Sequence, residues 1–228
     1  MEALVKYPRT YHLPWSPGTT SDDRILPPDM VDSMFLGKEV VITEKMDGEG
    51  TSGYWHGHVH ARSMDSVHHV SRSAVKNILG EATPNLPEGW RICGENLYAK
   101  HSIFYDRLPS YFLVFSIWNG NRCLDIQETL EWCSLLGLHH VPILYVGVWT
   151  RELEAYLKTN PFKPNYSDII EGYVVRLAKE FFFEDFAKSV AKYVRKGHVQ
   201  TDDHWLHQAV VANQLGKTTA YTKEDGKT

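Results

Sequence analysis

The stretch EVVITEKMDGEG, residues 39–50, decides how this chain is read. Glu39 to Lys45 alternates and is rich in β-branched residues, so it predicts a strand. Asp47-Gly48-Glu49-Gly50 then supplies turn residues. A lysine at the end of such a strand can project into a cleft, while Gly48 lets the chain turn sharply away. Taken alone, K-x-D-G is a weak pattern. Three fixed residues at average composition recur by chance in on the order of a few per cent of chains of this size. A surface lysine ahead of a hairpin would look the same.

Working outward, 51–56 and 58–63 read as paired strands around Gly57, and 66–79 has helical spacing through Val67, Val70, Ala74, Val75 and Ile78. Residues 90–97 and 111–118 read as strands, the second so continuously apolar that both of its faces should be buried. Residues 125–138 form the clearest helix, with Asp125 and Glu128 resembling a capping box and Gly137 near the end. A strand over 141–148, a short helix capped by Thr150, and strands over 168–177 and 189–195 follow. Thr201 should cap a helix running through Gln214. Ahead of all this, residues 1–37 form an irregular lead rich in Pro, Gly, Ser and Thr. The pattern is α+β with antiparallel strands prominent. One domain over 1–215 is expected, with a polar, flexible tail over 216–228.

Composition narrows the function classes. The 228 residues are ample for a sizeable core. A net charge of −4 argues against nonspecific coating of nucleic acid. The exception is local: Lys188, Lys192, Arg195, Lys196 and His198 crowd one segment. No apolar run approaches the roughly 20 residues that span a bilayer. The start, Met1 to Lys6, carries an early acid and no apolar core, so it does not read as a signal peptide. Cys93, Cys123 and Cys133 are odd in number and without a C-x-x-C pair. They read as buried thiols in a reducing cytoplasm.

Four further segments carry chemistry. Gly94-Glu95-Asn96-Leu97 closes one strand. Phe112 to Trp118 (FLVFSIW) could set an aromatic against a planar base, although Phe112, Ile117 and Trp118 read as plain core. Glu171-Gly172-Tyr173-Val174-Val175-Arg176 places a carboxylate beside a glycine, which suits close approach of a metal or phosphate to the backbone. In 191–196 (AKYVRK), alternation puts Lys192, Val194 and Lys196 on one strand face and Tyr193 and Arg195 on the other.

Each segment is weak, but their order is not. K-x-D-G, G-E-N-L, F-x-V-F-x-I-W, E-G-x-V-x-R and then a basic strand resemble the successive motifs of the covalent nucleotidyltransferases, which comprise ATP- and NAD-dependent ligases and mRNA capping enzymes. The lead YPRTYHLP, residues 7–14, and the run 192–205 further resemble the ATP-dependent RNA ligase branch. That resemblance implies an antiparallel-sheet-rich, ATP-grasp-like adenylation domain with flanking helices. Only about thirty residues follow Lys196, too few for the five-stranded oligonucleotide-binding barrel that DNA ligases and capping enzymes append.

The resemblance also implies roles. Lys45 would attack the α-phosphate of ATP and carry AMP. Arg62 would contact phosphate, Glu95 the ribose hydroxyls, and Phe115 would stack on adenine. Glu171 would bind Mg2+ or Mn2+. Lys192 would contact the α-phosphate as pyrophosphate departs, with Lys188 a second candidate because the family's last motif often has two closer lysines. RNA ends would be the partner. Neighbouring cations (Lys192, Arg62 and a divalent ion) would favour the neutral Lys45 amine. On sequence grounds Lys45→Ala removes the nucleophile and leaves the fold intact. A minimal DNA ligase or another polynucleotide nucleotidyltransferase is the nearby alternative. The distant one is a metal-binding protein built on His56, His58 and His60, which share a strand face at period 2 with His68 and His69 close by.

Overall fold

The computed structural model describes residues 4–63, 70–159, 162–197 and 210–216. The chain opens with a short strand β1 (Tyr11–His12) and helix α1 (Pro28–Phe35), then β2 (Glu39–Lys45), β3 (Glu49–Tyr54) and β4 (Val59–Ala61). Helix α2 (Ser73–Ala82) leads to β5 (Trp90–Asn96), β6 (Phe112–Asn119) and β7 (Arg122–Cys123). Next come α3 (Ile126–Leu135), β8 (His139–His140), β9 (Ile143–Val148) and α4 (Arg151–Thr159). Last are β10 (Gly172–Leu177), β11 (Phe181–Phe182) and β12 (Val190–Val194). No helix among the described residues is long and apolar enough to cross a membrane.

The strands form two sheets. One has the order β1-β12-β10-β2-β9; the other runs β11-β7-β6-β5-β3-β4, with β8 paired to β6. Most pairings are antiparallel, and β1–β12 and β6–β8 are parallel. Alternation sorts the side chains. In the first sheet Val40, Ile42, Tyr173, Val175 and Ala191 pack outward against Val31, Met34 and Phe35 of α1 and Leu157 of α4. In the second, Ile92, Phe112, Val114 and Ile117 pack outward against Val75 and Leu79 of α2 and Cys133 of α3. Between the sheets, Cys93 and Trp118 share a cluster with Val174, Leu177, Phe186 and Val190. Both faces of β6 are therefore buried, as its unbroken apolar run requires.

One irregularity in β6 matters. Cys93 pairs with Ser116, but Gly94 pairs with Val114, so Phe115 is an extra residue in a β-bulge. The bulge resets the alternation: Val114 and Ile117 both face the helices, while Phe115 packs toward the inter-sheet clusters together with Trp118. Such bulges re-aim side chains beside functional sites.

Several expectations need correction. The N-terminal lead is not irregular throughout, because β1 adds to the first sheet through Leu13 N donating to Lys192 O at 2.7 Å. Helix α1 starts directly after Pro27, at a position where proline's missing N–H costs nothing. The helix expected from 66 begins at Ser73, after a 3₁₀ turn, and 64–69 lie outside the described residues. The strand expected from Asp168 begins only at Gly172. Residues 201–209 lie outside the described residues. Residues 210–216 are extended rather than helical, with bridges Ala99↔Ala212 and Leu108↔Leu215. The expected tail is outside the description apart from Gly216, whose N–H donates to Leu108 O at 2.8 Å. Asp125 does cap α3, accepting from Glu128 N at 2.8 Å, but the Glu128 carboxylate turns to Arg122.

Glycine in E-G-x-V-x-R has a steric reason. A Cβ on Gly172 would lie 1.9 Å from Tyr193 O, the backbone of the neighbouring strand. Gly172→Ala should therefore push β12 off β10 and cost about 1–3 kcal/mol or more. A urea melt checks this, and wild-type stability would show that the strands can separate freely.

Candidate active site

Lys45 ends β2 on the face turned toward the second sheet, the same face as Val41 and Thr43. Its Nζ lies 2.7 Å from Glu171 Oε1 and 2.8 Å from Oε2. The Lys45 side chain is 23% exposed and that of Glu171 3%. Glu171 sits just before β10, whose Gly172 is opposite Lys45. On the other side of β10, Val174 pairs with Lys192 of β12, so alternation aims Lys192 across the same face. Glu95 comes from the end of β5 in the second sheet, where its Oε1 accepts from Gly48 N at 3.2 Å.

The charges of these groups act on one another. Burial alone would lower the Lys45 pKa, but Glu171, Glu95 and Asp47 outweigh it and hold the amine above its usual 10.5. The sequence expectation of a neutral amine favoured by neighbouring cations thus meets an opposing arrangement, because the nearest protein charges are carboxylates. Lys192 is lowered, first by burial and then by Lys45, while Asp23 and Glu171 act in the opposite sense and Arg62 adds to the lowering. Arg62 follows β4 and is exposed, with its N–H donating to Gly50 O at 2.7 Å. Phe115 is half-buried, with the Tyr7 ring packed edge-on against it at 5.0 Å between ring centroids.

Lys188 is not brought to this group. It ends a 3₁₀ turn beyond the end of β12 where Val190 pairs with Arg176. From Gly172 to Arg176 the strand runs about 13 Å. Its side chain is 73% exposed, lies 3.7 Å from Asp185, and lines a separate surface cavity with Lys38 and Arg122.

Sequence reasoning missed the groups that hold the K-x-D-G turn. Asp47 Oδ2 accepts from Ser102 N at 2.8 Å, Ser102 Oγ at 2.7 Å and Ile103 N at 2.8 Å. Asp47 N donates to the Tyr105 hydroxyl at 2.8 Å. Gly48 is needed for close approach rather than for an unusual turn: its Cβ would lie 2.3 Å from Asn96 O. Residues 97–105 are in turn clamped by buried Asn213. Its Oδ1 accepts from Tyr105 N at 2.9 Å, and its Nδ2 donates to Leu97 O at 2.8 Å. Nothing in the local sequence marks Asn213, which sits in a stretch that reads as helix. Glu49, next to the turn, makes a two-pronged ion pair with Arg72, with Nε 2.7 Å from Oε2.

The histidine face has its own logic. His56 and His58 are exposed, whereas His60 is buried, its Nε2 3.0 Å from the Tyr54 hydroxyl and its Nδ1 2.7 Å from Ala61 O. Among the described residues no group of three or more His, Cys, Asp or Glu is placed to hold a metal ion. His68 and His69 lie outside the described residues. The three cysteines are buried and free.

A divalent ion fits the site as a companion of a phosphate ligand rather than as a resident. Two half- to fully buried carboxylates, Glu95 and Glu171, flank Lys45, and magnesium characteristically takes one or two carboxylates plus phosphate oxygens and water.

Two outcomes follow from this geometry. Burial pushes Glu95 up to about 8, opposed by Lys45 and reinforced by Glu171 and Asp47. Between its ordinary 4.5 and about 8 the folded protein holds a proton that the unfolded chain has released. That contribution to stability is greatest at the acid end and declines as pH rises through the window. Glu95→Gln should flatten this part of the profile in denaturant melts, and an unchanged slope would refute it. Asn213→Ala should leave Tyr105 N–H and Leu97 C=O unmet, at about 1–3 kcal/mol for each buried group. Wild-type unfolding free energy would contradict the clamp.

The RNA ligase family model matches residues 38–194. No match was found among curated proteins. Among solved structures, the chain resembles Naegleria gruberi RNA ligase with PPi at a TM-score of 0.57 and 18% identity, over 85% of this chain and 61% of that one. A mutant of that ligase with ATP and Mn gives 0.55 and 19%, over 74% and 52%. Another mutant, with AMP and Mn, gives 0.54 and 18%, also over 74% and 52%. At these identities the structural likeness concerns the fold, and the chain spans between 52% and 61% of the length of these ligases. With more than half of its length matched by the family model, the chain belongs to the RNA ligase family.

Proposed function

We propose that this chain is an ATP-dependent RNA ligase that joins 5′-phosphate and 3′-hydroxyl ends through AMP carried on Lys45. The observation that carries the reading is the convergence of Lys45, Glu171 and Lys192 on the inner face of one sheet, with Glu95 supplied from the other. The structures of the Naegleria gruberi ligase with ATP, AMP or PPi, several with Mn, support nucleotide and divalent-cation use.

In this reading Phe115 takes the adenine ring and Glu95 the ribose hydroxyls. Arg62 and Lys192 face the phosphates, with Lys192 at the α-phosphate. A divalent cation held by Glu171 with the phosphates would neutralise triphosphate charge and offset the carboxylates that keep Lys45 protonated. Once the Lys45 ammonium has released a proton to solvent, its lone pair attacks the α-phosphorus; a P–N bond forms, the P–O bond to pyrophosphate breaks, pyrophosphate leaves with the electron pair, and the nitrogen gives up its second proton to solvent. Lys192 and Arg62 stabilise the charge that develops. A 5′-phosphate oxygen of RNA then attacks the same phosphorus and returns the electron pair to Lys45. A 3′-hydroxyl next attacks the activated 5′-phosphate, forms the phosphodiester and expels AMP.

Lys45 needs a more careful test than the sequence implied. Glu171 is buried and paired with it, so Lys45→Ala strands a carboxylate and should destabilise the fold by up to about 3–5 kcal/mol, less whatever Glu171 recovers by taking up a proton. Lys45→Arg keeps the charge and, being always protonated, cannot attack. Incubation with α-labelled ATP and Mg2+ should label the wild type covalently and leave Lys45→Arg unlabelled; a labelled Lys45→Arg would remove Lys45 as nucleophile. Glu171→Gln should slow labelling on the order of 10²-fold. Sealing assays on nicked duplexes and single strands, with RNA or DNA on each side, test the substrate class. A preference for all-DNA ends would overturn the RNA assignment.

A further inference from the structure

A buried polar chain leads from the N-terminal lead to Lys192 and has no part in the steps above. Strand β1 lies parallel to β12 with His12 opposite Lys192. The His12 imidazole is fully buried, its Nδ1 2.8 Å from Ser16 Oγ and its Nε2 3.1 Å from Asp23 Oδ1. The second contact is short but is not a well-aligned hydrogen bond. Ser16 Oγ accepts from Val194 N at 2.9 Å. Thr20 N and Oγ1 donate to the other carboxylate oxygen, Asp23 Oδ2, at 3.0 and 3.1 Å. Asp23 Oδ1 lies 3.6 Å from Lys192 Nζ.

Contacts on both ring nitrogens place the imidazole. Ser16 Oγ accepts from Val194 N and lies 3.4 Å from Val194 O as well as 2.8 Å from His12 Nδ1, so the ring is held between Ser16 and the Asp23 carboxylate. Burial and then the Lys192 charge hold His12 down to about 4, so it is neutral near pH 7. The charged groups that bear on Lys192 are Lys45 from β2, Arg62 after β4, Glu171 before β10, and Asp23 from the lead. Glu171 is paired with Lys45 and acts on Lys192 by its charge. Among the described residues Asp23 is the carboxylate in direct contact with Lys192; Thr20 fixes its Oδ2, and its Oδ1 lies between His12 Nε2 and Lys192 Nζ.

We propose that Asp23, steered by His12 and Thr20, is a positioning residue that sets where the Lys192 ammonium meets the α-phosphate. This makes part of the N-terminal lead a component of the adenylylation machinery, although it precedes the stretch matched by the family model. The inference rests on the reading of Lys192 given above.

The test is a double-mutant cycle on the full chain, read as single-turnover adenylylation with labelled ATP and Mg2+. Asp23→Asn should fold with an unchanged thermal midpoint. Its maximal rate should fall roughly 10- to 100-fold with little change in the KM for ATP. Added to Lys192→Gln, Asp23→Asn should cost nothing further, because its effect passes through Lys192. If Lys192→Gln leaves no measurable rate, Lys192→Arg replaces it in the cycle, with the same expectation of non-additivity. Full additivity, or a wild-type rate for Asp23→Asn, overturns the positioning role alone. A wild-type chain that forms no adduct, or an unimpaired Lys192→Gln, sinks instead the reading on which this role rests.

Discussion

The contact between Lys45 and Glu171 is the constraint around which the molecule is arranged. A lysine with less than a quarter of its side chain exposed is costly unless a carboxylate meets it, and a carboxylate with 3% exposure is costlier still. The pair satisfies both groups, and the added pull of Glu95 and Asp47 keeps the amine charged. Because the Lys45 pKa is raised, this stabilisation is fully present near neutrality and is lost only as pH rises through that raised value. For the nucleophile proposed above, the resting state is therefore the wrong one. On that reading the same carboxylates that stabilise the free chain must be offset by positive charge before the amine can react, which ties adenylylation to arrival of the nucleotide and its cation.

Strand geometry sets the face on which this pair lies. Lys45 and Lys192 share a sheet face because each lies at the correct parity on strands flanking β10, and Gly172 lets β12 approach closely enough for that face to be continuous. On the opposing sheet, parity alone would not give Phe115 and Trp118 a common side. The bulge at Phe115 does. The turn after Lys45 is then fixed through Asp47, whose carboxylate receives three donors from residues 102 and 103. The segment around Asn213 clamps that loop from outside, so placement of the lysine depends on residues distant in sequence.

How much of this could be read from the amino-acid sequence follows from which interactions are local. Strand β2 was legible to the residue because β-branched alternation and turn chemistry are local signals, and the Asp125 cap of α3 was legible for the same reason. Phe112, Ile117 and Trp118 were read as core and are fully buried. The order of five weak motifs indicated the family. What escaped depends on partners far along the chain. The sequence offered Gly48 as a turn former, whereas its role is set by Asn96 O on another strand. Residues 210–214 have helical composition but are extended, since their backbone groups are taken by the 98–108 loop. Lys188 stood as a second candidate behind Lys192, and the pairing of β12 with β10 puts Lys192 on the face of Lys45. The charge state of Lys45 could not be read at all, because it depends on which carboxylates come nearest.

The most direct test of this account is the titration of Lys45 itself, followed by NMR of lysine-labelled protein without nucleotide and assigned through Lys45→Arg. The account predicts that Lys45 titrates above the ordinary 10.5 and moves down when Glu171 is replaced by Gln. A Lys45 that titrates at or below 10.5, or that does not respond to Glu171→Gln, would contradict it.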